Sequence, residues 1–156
     1  MEPSQMKILV MGLPGAGKTY LAERLAARFH AVHLNADRVR ATISKDLGFS
    51  PEDRVEHARR LGWIAQFIKD SGQHAIADFV CPTPEARKAF DADFVIWLDT
   101  IEKGRYEDTN KLFVPPEADV IIHDFEYDID QLAADIAHGM LKVQPNWSNT
   151  TEFDEH

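Results

Sequence analysis

The first residues in the chain able to do chemistry are Gly12-Leu13-Pro14-Gly15-Ala16-Gly17-Lys18-Thr19, which satisfy G-x-x-x-x-G-K-[ST]. The residue types suit one task, the holding of a polyphosphate. Glycines let successive backbone N–H groups turn toward an anion, a following helix N-terminus adds positive potential, and Lys18 neutralises phosphate oxygens. Thr19 would ligate Mg²⁺ through its hydroxyl. Gly12, Gly15, Ala16, Gly17, Lys18, Thr19 and Tyr20 are therefore the expected nucleotide-binding residues, with ATP and Mg²⁺ as the expected cofactors. The bland alternative is a glycine-rich turn between a strand and a helix that leaves its lysine in solvent.

Three acids, Asp37, Asp78 and Asp99, lie at the ends of apolar runs, where a carboxylate can accept a hydroxyl proton or hold metal-bound water. Asp37 stands beside Arg38 and Arg40, which puts an acid for an acceptor hydroxyl next to cations for an anionic group. It is favoured, with Lys18, for catalysis; its structural alternative is a helix N-cap, and the two roles are compatible. Asp78 closes Ala75-Ile76-Ala77-Asp78 and takes the place of a Walker-B magnesium acid if its strand neighbours the strand before the loop. A turn acid is the other reading. Acids placed like Asp99 often only begin a loop, and it is left out of the expected site. Which of the three is the base and which holds magnesium stays open.

These residues need a scaffold, and the hydrophobic pattern supplies one. Residues 6–11, 31–34, 75–80, 94–98 and 120–122 read as strands, and residues 17–29, 37–44, 51–70, 83–89 and 129–140 as helices. Ser50-Pro51-Glu52-Asp53 has the hydroxyl, proline and first-turn acids of a helix start. Strands alternating with helices imply an α/β fold: a three-layer P-loop NTPase architecture of about five mainly parallel strands with helices on both faces. Ligands then bind at the carboxyl ends of the strands. Residues 99–117, with Gly104 and Pro115-Pro116, show no clear periodicity and are expected to form a lid. The expected domain is 1–143, followed by a tail or linker at 144–156.

Composition narrows the classes. The 156 residues are about one domain long, 44% hydrophobic and 28% charged, which excludes a disordered chain. The apolar runs are of strand length, so no membrane span is expected. A net charge of −9 argues against general nucleic-acid binding. The cations cluster, however, from Arg38 to Lys111, so a local positive pocket for a small anionic nucleotide is compatible with an acidic protein. The lone Cys81 and the absence of a basic-then-apolar opening point to the cytoplasm. Asn146-Trp147-Ser148 and Asn149-Thr150-Thr151 match glycosylation acceptors only formally. His30, His33, His74, His123 and His138 lack metal-ligand spacing and read as surface or hydrogen-bonded polar residues. A homodimer is admitted as an assembly.

From Leu34 onward the chain resembles adenylylsulfate (APS) kinases. Leu34-Asn35-Ala36-Asp37-Arg38-Val39-Arg40 is similar to that family's L-D-G-D-N-V-R, and the stretch from Lys45 to Arg60 to its K-D-L-G-F-S-x-x-D-R-x-E-N-x-R-R. Cys81-Pro82 sits where the family has Ser-Pro, and the likeness covers about residues 6–90. It implies transfer of the ATP γ-phosphoryl group to the 3′-hydroxyl of APS, giving PAPS and ADP. Phe49 would stack on the acceptor's adenine, Asp37 and Cys81 would line the acceptor pocket, and Arg40, Arg54 and one of Arg59 and Arg60 would grip the phosphosulfate. Lys103 and Arg105 would close over the phosphates from a shortened lid, with Phe113 as a second aromatic wall. Asn35, Ala36 and Arg38 replace Asp, Gly and Asn of the motif, and His57 replaces its helix asparagine. Two alternatives stand: a related kinase acting on another small or nucleotide hydroxyl, and a nucleotide-binding regulatory module without transfer.

Overall fold

The structure, a computed structural model, describes residues 4–143. The expected tail at 144–156, with both formal glycosylation acceptors, lies outside the described residues. In chain order the elements are β1 Lys7–Met11, α1 Lys18–Phe29, β2 Val32–Asn35, α2 Ala36–Thr42, α3 Pro51–Asp70, β3 Ala75–Phe79, α4 Pro84–Phe90, β4 Phe94–Leu98, α5 Glu107–Leu112, β5 Val120–Ile122 and α6 Ile129–Lys142. The five strands are ordered β2-β3-β1-β4-β5, and every pairing is parallel. The strand leading into the phosphate loop is thus central, with β3 on one side and β4 on the other.

That position explains its sequence. β1 alternates inward on both faces, Ile8 and Val10 toward one core and Leu9 and Met11 toward the other, so an unbroken apolar run is required. The first core joins β1, β3 and β4 to Leu21 and Leu25 of α1 and Ile136 and Met140 of α6. The second is built from Val39 of α2, Ala58, Leu61 and Ala65 of α3, and Ala86 and Phe90 of α4. Burial of a ring such as Phe90 contributes roughly 1.5–3 kcal/mol. The three expected layers follow from these two cores.

Local signals set the helix boundaries. Ser50 accepts the Asp53 N–H with Pro51 in the first turn, Thr83 accepts from Ala86, and Asp128 accepts from Asp130 and Gln131. Asn35 caps α2 by accepting the Arg38 N–H at 3.0 Å. The cap of α2 is therefore Asn35; Asp37, for which a capping role was an alternative, lies inside the first turn and keeps its carboxylate free. The stretch 99–117, read as a lid without clear periodicity, contains α5. This short helix buries only Thr109, so its sequence carries no apolar stripe.

Gly62 marks the tightest helix contact. A Cβ there would lie 2.7 Å from the Phe90 carbonyl oxygen and 3.1 Å from that of Ala89. Gly62→Ala should lower stability by about 1–3 kcal/mol through overpacking, read from urea unfolding; an unchanged midpoint would show that α3 and α4 can separate freely. Cys81, in the second core, is 1% exposed, and burial pushes its thiol up to about 12. It should stay unreactive toward a thiol reagent at about pH 8 and react fully on unfolding; rapid labelling of folded protein would contradict that burial.

Candidate active site

The loop between β1 and α1 is fixed by its own hydrogen bonds. Ala16 N–H donates to the Leu13 carbonyl at 3.0 Å, and the Thr100 hydroxyl donates to the Ala16 carbonyl at 2.8 Å. Gly17, at φ 97, is left-handed, a conformation glycine adopts without steric cost. As the first boundary residue of α1 it brings no side chain to cap the helix, and no acid occupies the first turn. Those N–H groups stay available to an outside anion. Lys18 Nζ donates to the Leu13 carbonyl at 2.9 Å. Burial, opposed by Asp78 and Asp37 and assisted by Arg105, pushes its ammonium down to about 8.

A cleft of about 590 Å³ opens over this loop at the carboxyl edge of the sheet. Its floor is Gly15, Gly17, Lys18, Thr19 and Tyr20; its far wall is Asp37, Arg40, Phe49, Arg54, His57 and Cys81; Asp78 lies between them. Asp78 is the register partner of Val10 on β1, the place the sequence reading required for a metal acid. Its Oδ1 is 3.5 Å from the Thr19 hydroxyl and accepts the Asn35 amide at 3.1 Å, while Oδ2 accepts from His33 Nε2. Buried oxygens of this donor set fit a hard cation beside Thr19.

On the far wall, Phe49 carries two guanidinium groups, Arg40 at 4.3 Å and Arg54 at 5.6 Å from the ring centroid. Arg40 donates to the Gly48 carbonyl at 2.6 Å, and Arg54 to the Phe49 carbonyl at 2.9 Å. Burial lowers both below the usual guanidinium range; for Arg40 the neighbouring Arg54 adds to it. His57 donates from Nε2 to the Ala36 carbonyl at 3.2 Å. Burial, with Arg40 next, pushes its imidazole down to about 4, so it is neutral at neutral pH. Cys81 takes a left-handed backbone at φ 48, and its carbonyl accepts from Arg87 Nε at 3.1 Å.

Several expected residues sit elsewhere. Arg59 does not line the cleft; it turns outward to Glu56 at 2.5 Å. Arg60 pairs with Asp46 and Glu56, at 2.7 and 2.9 Å. α3 shows the cleft Arg54 and His57, and neither Arg59 nor Arg60 lines it. Lys103 is exposed outside the cleft, whereas Arg105 and Tyr106 line it. Phe113 is no second wall; it packs on Trp97 at 6.2 Å and under Arg87 at 5.8 Å. Asp99 faces His123 at 3.5 Å and lines no part of the cleft.

Other residues were not legible in the sequence. α5 places Asp108 and Thr109 in the cleft wall: the Thr109 hydroxyl accepts from Arg54 at 3.0 Å, and the Asp108 carboxylate lies 3.6 Å from the same guanidinium. A smaller hollow of about 300 Å³ behind the loop is lined by Ala16, Gly17, Tyr20, Leu98, Thr100, Phe125 and Tyr127. Ala16, Gly17 and Tyr20 were expected at the nucleotide; for the rest of the hollow, the pairing of Phe125 with Tyr127 two residues on is the signal the sequence offers.

Known proteins are similar to this chain in sequence and in fold. The adenylyl-sulfate kinase of Shewanella baltica (strain OS195) is 42% identical over 90 residues, covering 54% of this chain and 44% of that protein. The chain thus spans less than half the length of the curated relatives it matches. In fold it is similar to the Mycobacterium tuberculosis APS kinase CysC in complex with AMPPNP and APS, at a TM-score of 0.72 and 23% identity over 88% of this chain and 98% of the other. It is also similar to the hexameric APS kinase from Thiobacillus denitrificans, at a TM-score of 0.66 and 25% identity over 89% of this chain and 29% of that one. Residues 4–100, well over half of the sequence, match the family model for adenylylsulphate kinase, and the chain belongs to that family.

Proposed function

We propose that this protein transfers the γ-phosphoryl group of ATP to the 3′-hydroxyl of adenylylsulfate, giving PAPS and ADP. The observation that carries the proposal is that one cleft holds both the phosphate loop and the Asp37, Arg40, Phe49 and Arg54 set. The M. tuberculosis kinase of the same fold is a complex with AMPPNP and APS, which supports a two-nucleotide cleft.

The loop N–H groups and Lys18 would cradle the β- and γ-phosphates, and the hollow behind the loop, with Tyr20, Phe125 and Tyr127, would take the adenine of ATP. Thr19 and Asp78 would hold Mg²⁺, which when bound neutralises phosphate oxygens. Asp37 would accept the proton of the acceptor hydroxyl as its oxygen bonds to the γ-phosphorus and the β–γ bridging bond breaks, leaving ADP. Phe49 would stack on the acceptor's adenine, while Arg40 and Arg54 face its phosphosulfate. Arg105 would meet the transferring group from the α5 side.

A second reading has a specific basis. The Asp108 carboxylate occupies the neighbourhood of Arg54 that an acceptor oxyanion would need, so an acceptor hydroxyl on a less anionic molecule is the alternative.

An ADP-release assay across acceptors, with the product identified by mass spectrometry, separates the two. Release that depends on APS and yields PAPS is expected; release with another hydroxyl acceptor and none with APS would establish the second reading. Lys18→Ala should abolish transfer with the fold intact. Asp37→Asn should lower kcat by about 10²–10⁴-fold while ATP affinity holds; unchanged turnover would move the base elsewhere. Phe49→Ala should raise the acceptor KM about tenfold or more, and an equal KM would end the stacking role.

A further inference from the structure

Asp78 is a carboxylate in the middle of the sheet's carboxyl edge, with a side chain 4% exposed and parallel neighbours on both sides, Val10 of β1 and Asn35 of β2. A buried acid needs donors, and here they divide between its two oxygens. Oδ2 is engaged by His33 Nε2. Oδ1 receives the Asn35 amide at 3.1 Å and lies 3.5 Å from the Thr19 hydroxyl.

Asn35 uses both ends of its amide. Its Oδ1 caps α2, the helix that carries Asp37, and its Nδ2 reaches both Asp78 and, at 3.4 Å, the Thr19 hydroxyl. The family motif has aspartate at this position. An aspartate here would set a second carboxylate at hydrogen-bond distance from Asp78, in place of the amide that now donates to it. Asparagine at 35 and the acid at 78 are therefore mutually consistent, the amide donating to the carboxylate across β2 and β3.

We propose that His33 and Asn35 are positioning residues that aim Asp78 at the metal of the bound nucleotide, with His33 immobilising Oδ2 so that Oδ1 stays turned toward Thr19. The proposal rests on the nucleotide reading above. It differs from a simple staple between β2 and β3, because a staple would stabilise the fold without affecting the metal.

Calorimetry of ADP binding to the full chain, with Mg²⁺ and with EDTA, tells them apart. In His33→Leu the metal-free affinity should hold, while the Mg²⁺-dependent gain falls by about tenfold to a hundredfold, the usual effect of losing an outer partner of a metal ligand. His33→Gln, whose amide can still donate, should recover most of the gain. The Mn²⁺ resonance of the ADP complex should change in His33→Leu alone. An undiminished Mg²⁺-dependent gain in His33→Leu, with only a lower Tm, would make the pair a staple and overturn the proposal. Should that variant not fold, Asn35→Ala serves in its place and is expected to lose gain likewise; a full gain there is equally decisive against. If the parent protein takes up neither ADP nor ATP under either condition, the nucleotide reading itself falls, and this proposal with it.

Discussion

The first turn of α1 presents backbone N–H groups that no side chain among the described residues caps, beside a half-buried ammonium group. Of the other helices at the site's edge, α2, α3 and α4 begin on a side chain that accepts their first N–H groups, Asn35, Ser50 and Thr83, and the short α5 does not. α1 begins on Gly17 and has none. The demand for an anion is thus built into the backbone, and Lys18 shares it, since its Nζ donates to the Leu13 carbonyl within the same loop. The central place of β1 follows: a loop that must stay open and rigid hangs from the middle strand of the five.

Charge is arranged to match. A protein of net charge −9 gathers Lys18, Arg40, Arg54 and Arg105 around one cleft. Burial pulls Lys18 toward neutrality, and the nearby Asp37 and Asp78 oppose it. The same two acids that the proposed chemistry needs for proton transfer and metal binding thereby also keep the loop lysine charged. On the far wall Arg40 and Arg54 share one aromatic face, where a guanidinium is more easily desolvated than an ammonium would be.

The scaffold was largely legible in the sequence because it follows from short-range rules. β4 and β5 lie where their apolar runs placed them, and α3 starts on the Ser50-Pro51 signal and ends at Asp70. The loop and the far wall were legible because their residue types are specified by spacing. What escaped was set by tertiary contact. α5 hides in 99–117 because a helix with one buried residue leaves no periodicity. His33 read as an unremarkable polar residue on a strand, since only the sheet register brings it to Asp78. Arg59 and Arg60 fit a family pattern, yet both pair with Glu56, and Arg60 with Asp46 as well, outside the cleft.

The close approach of α3 and α4 at Gly62 reaches further than packing. α3 carries Arg54 and His57 near its start, and α4 follows directly on Cys81-Pro82, so joining the two helices without a side chain between them locks two sides of the acceptor wall to each other. The third side hangs largely from polar contacts, among them the Asn110–Gly104 hydrogen bonds at 2.8 and 3.1 Å, the Arg54 to Thr109 bond at 3.0 Å and the Val114 to Pro82 backbone bond at 2.8 Å. Divergence in what this cleft accepts would then accumulate in α5, where Thr109 is the one buried residue, while the α3–α4 wall acts as a fixed mould set by the fold.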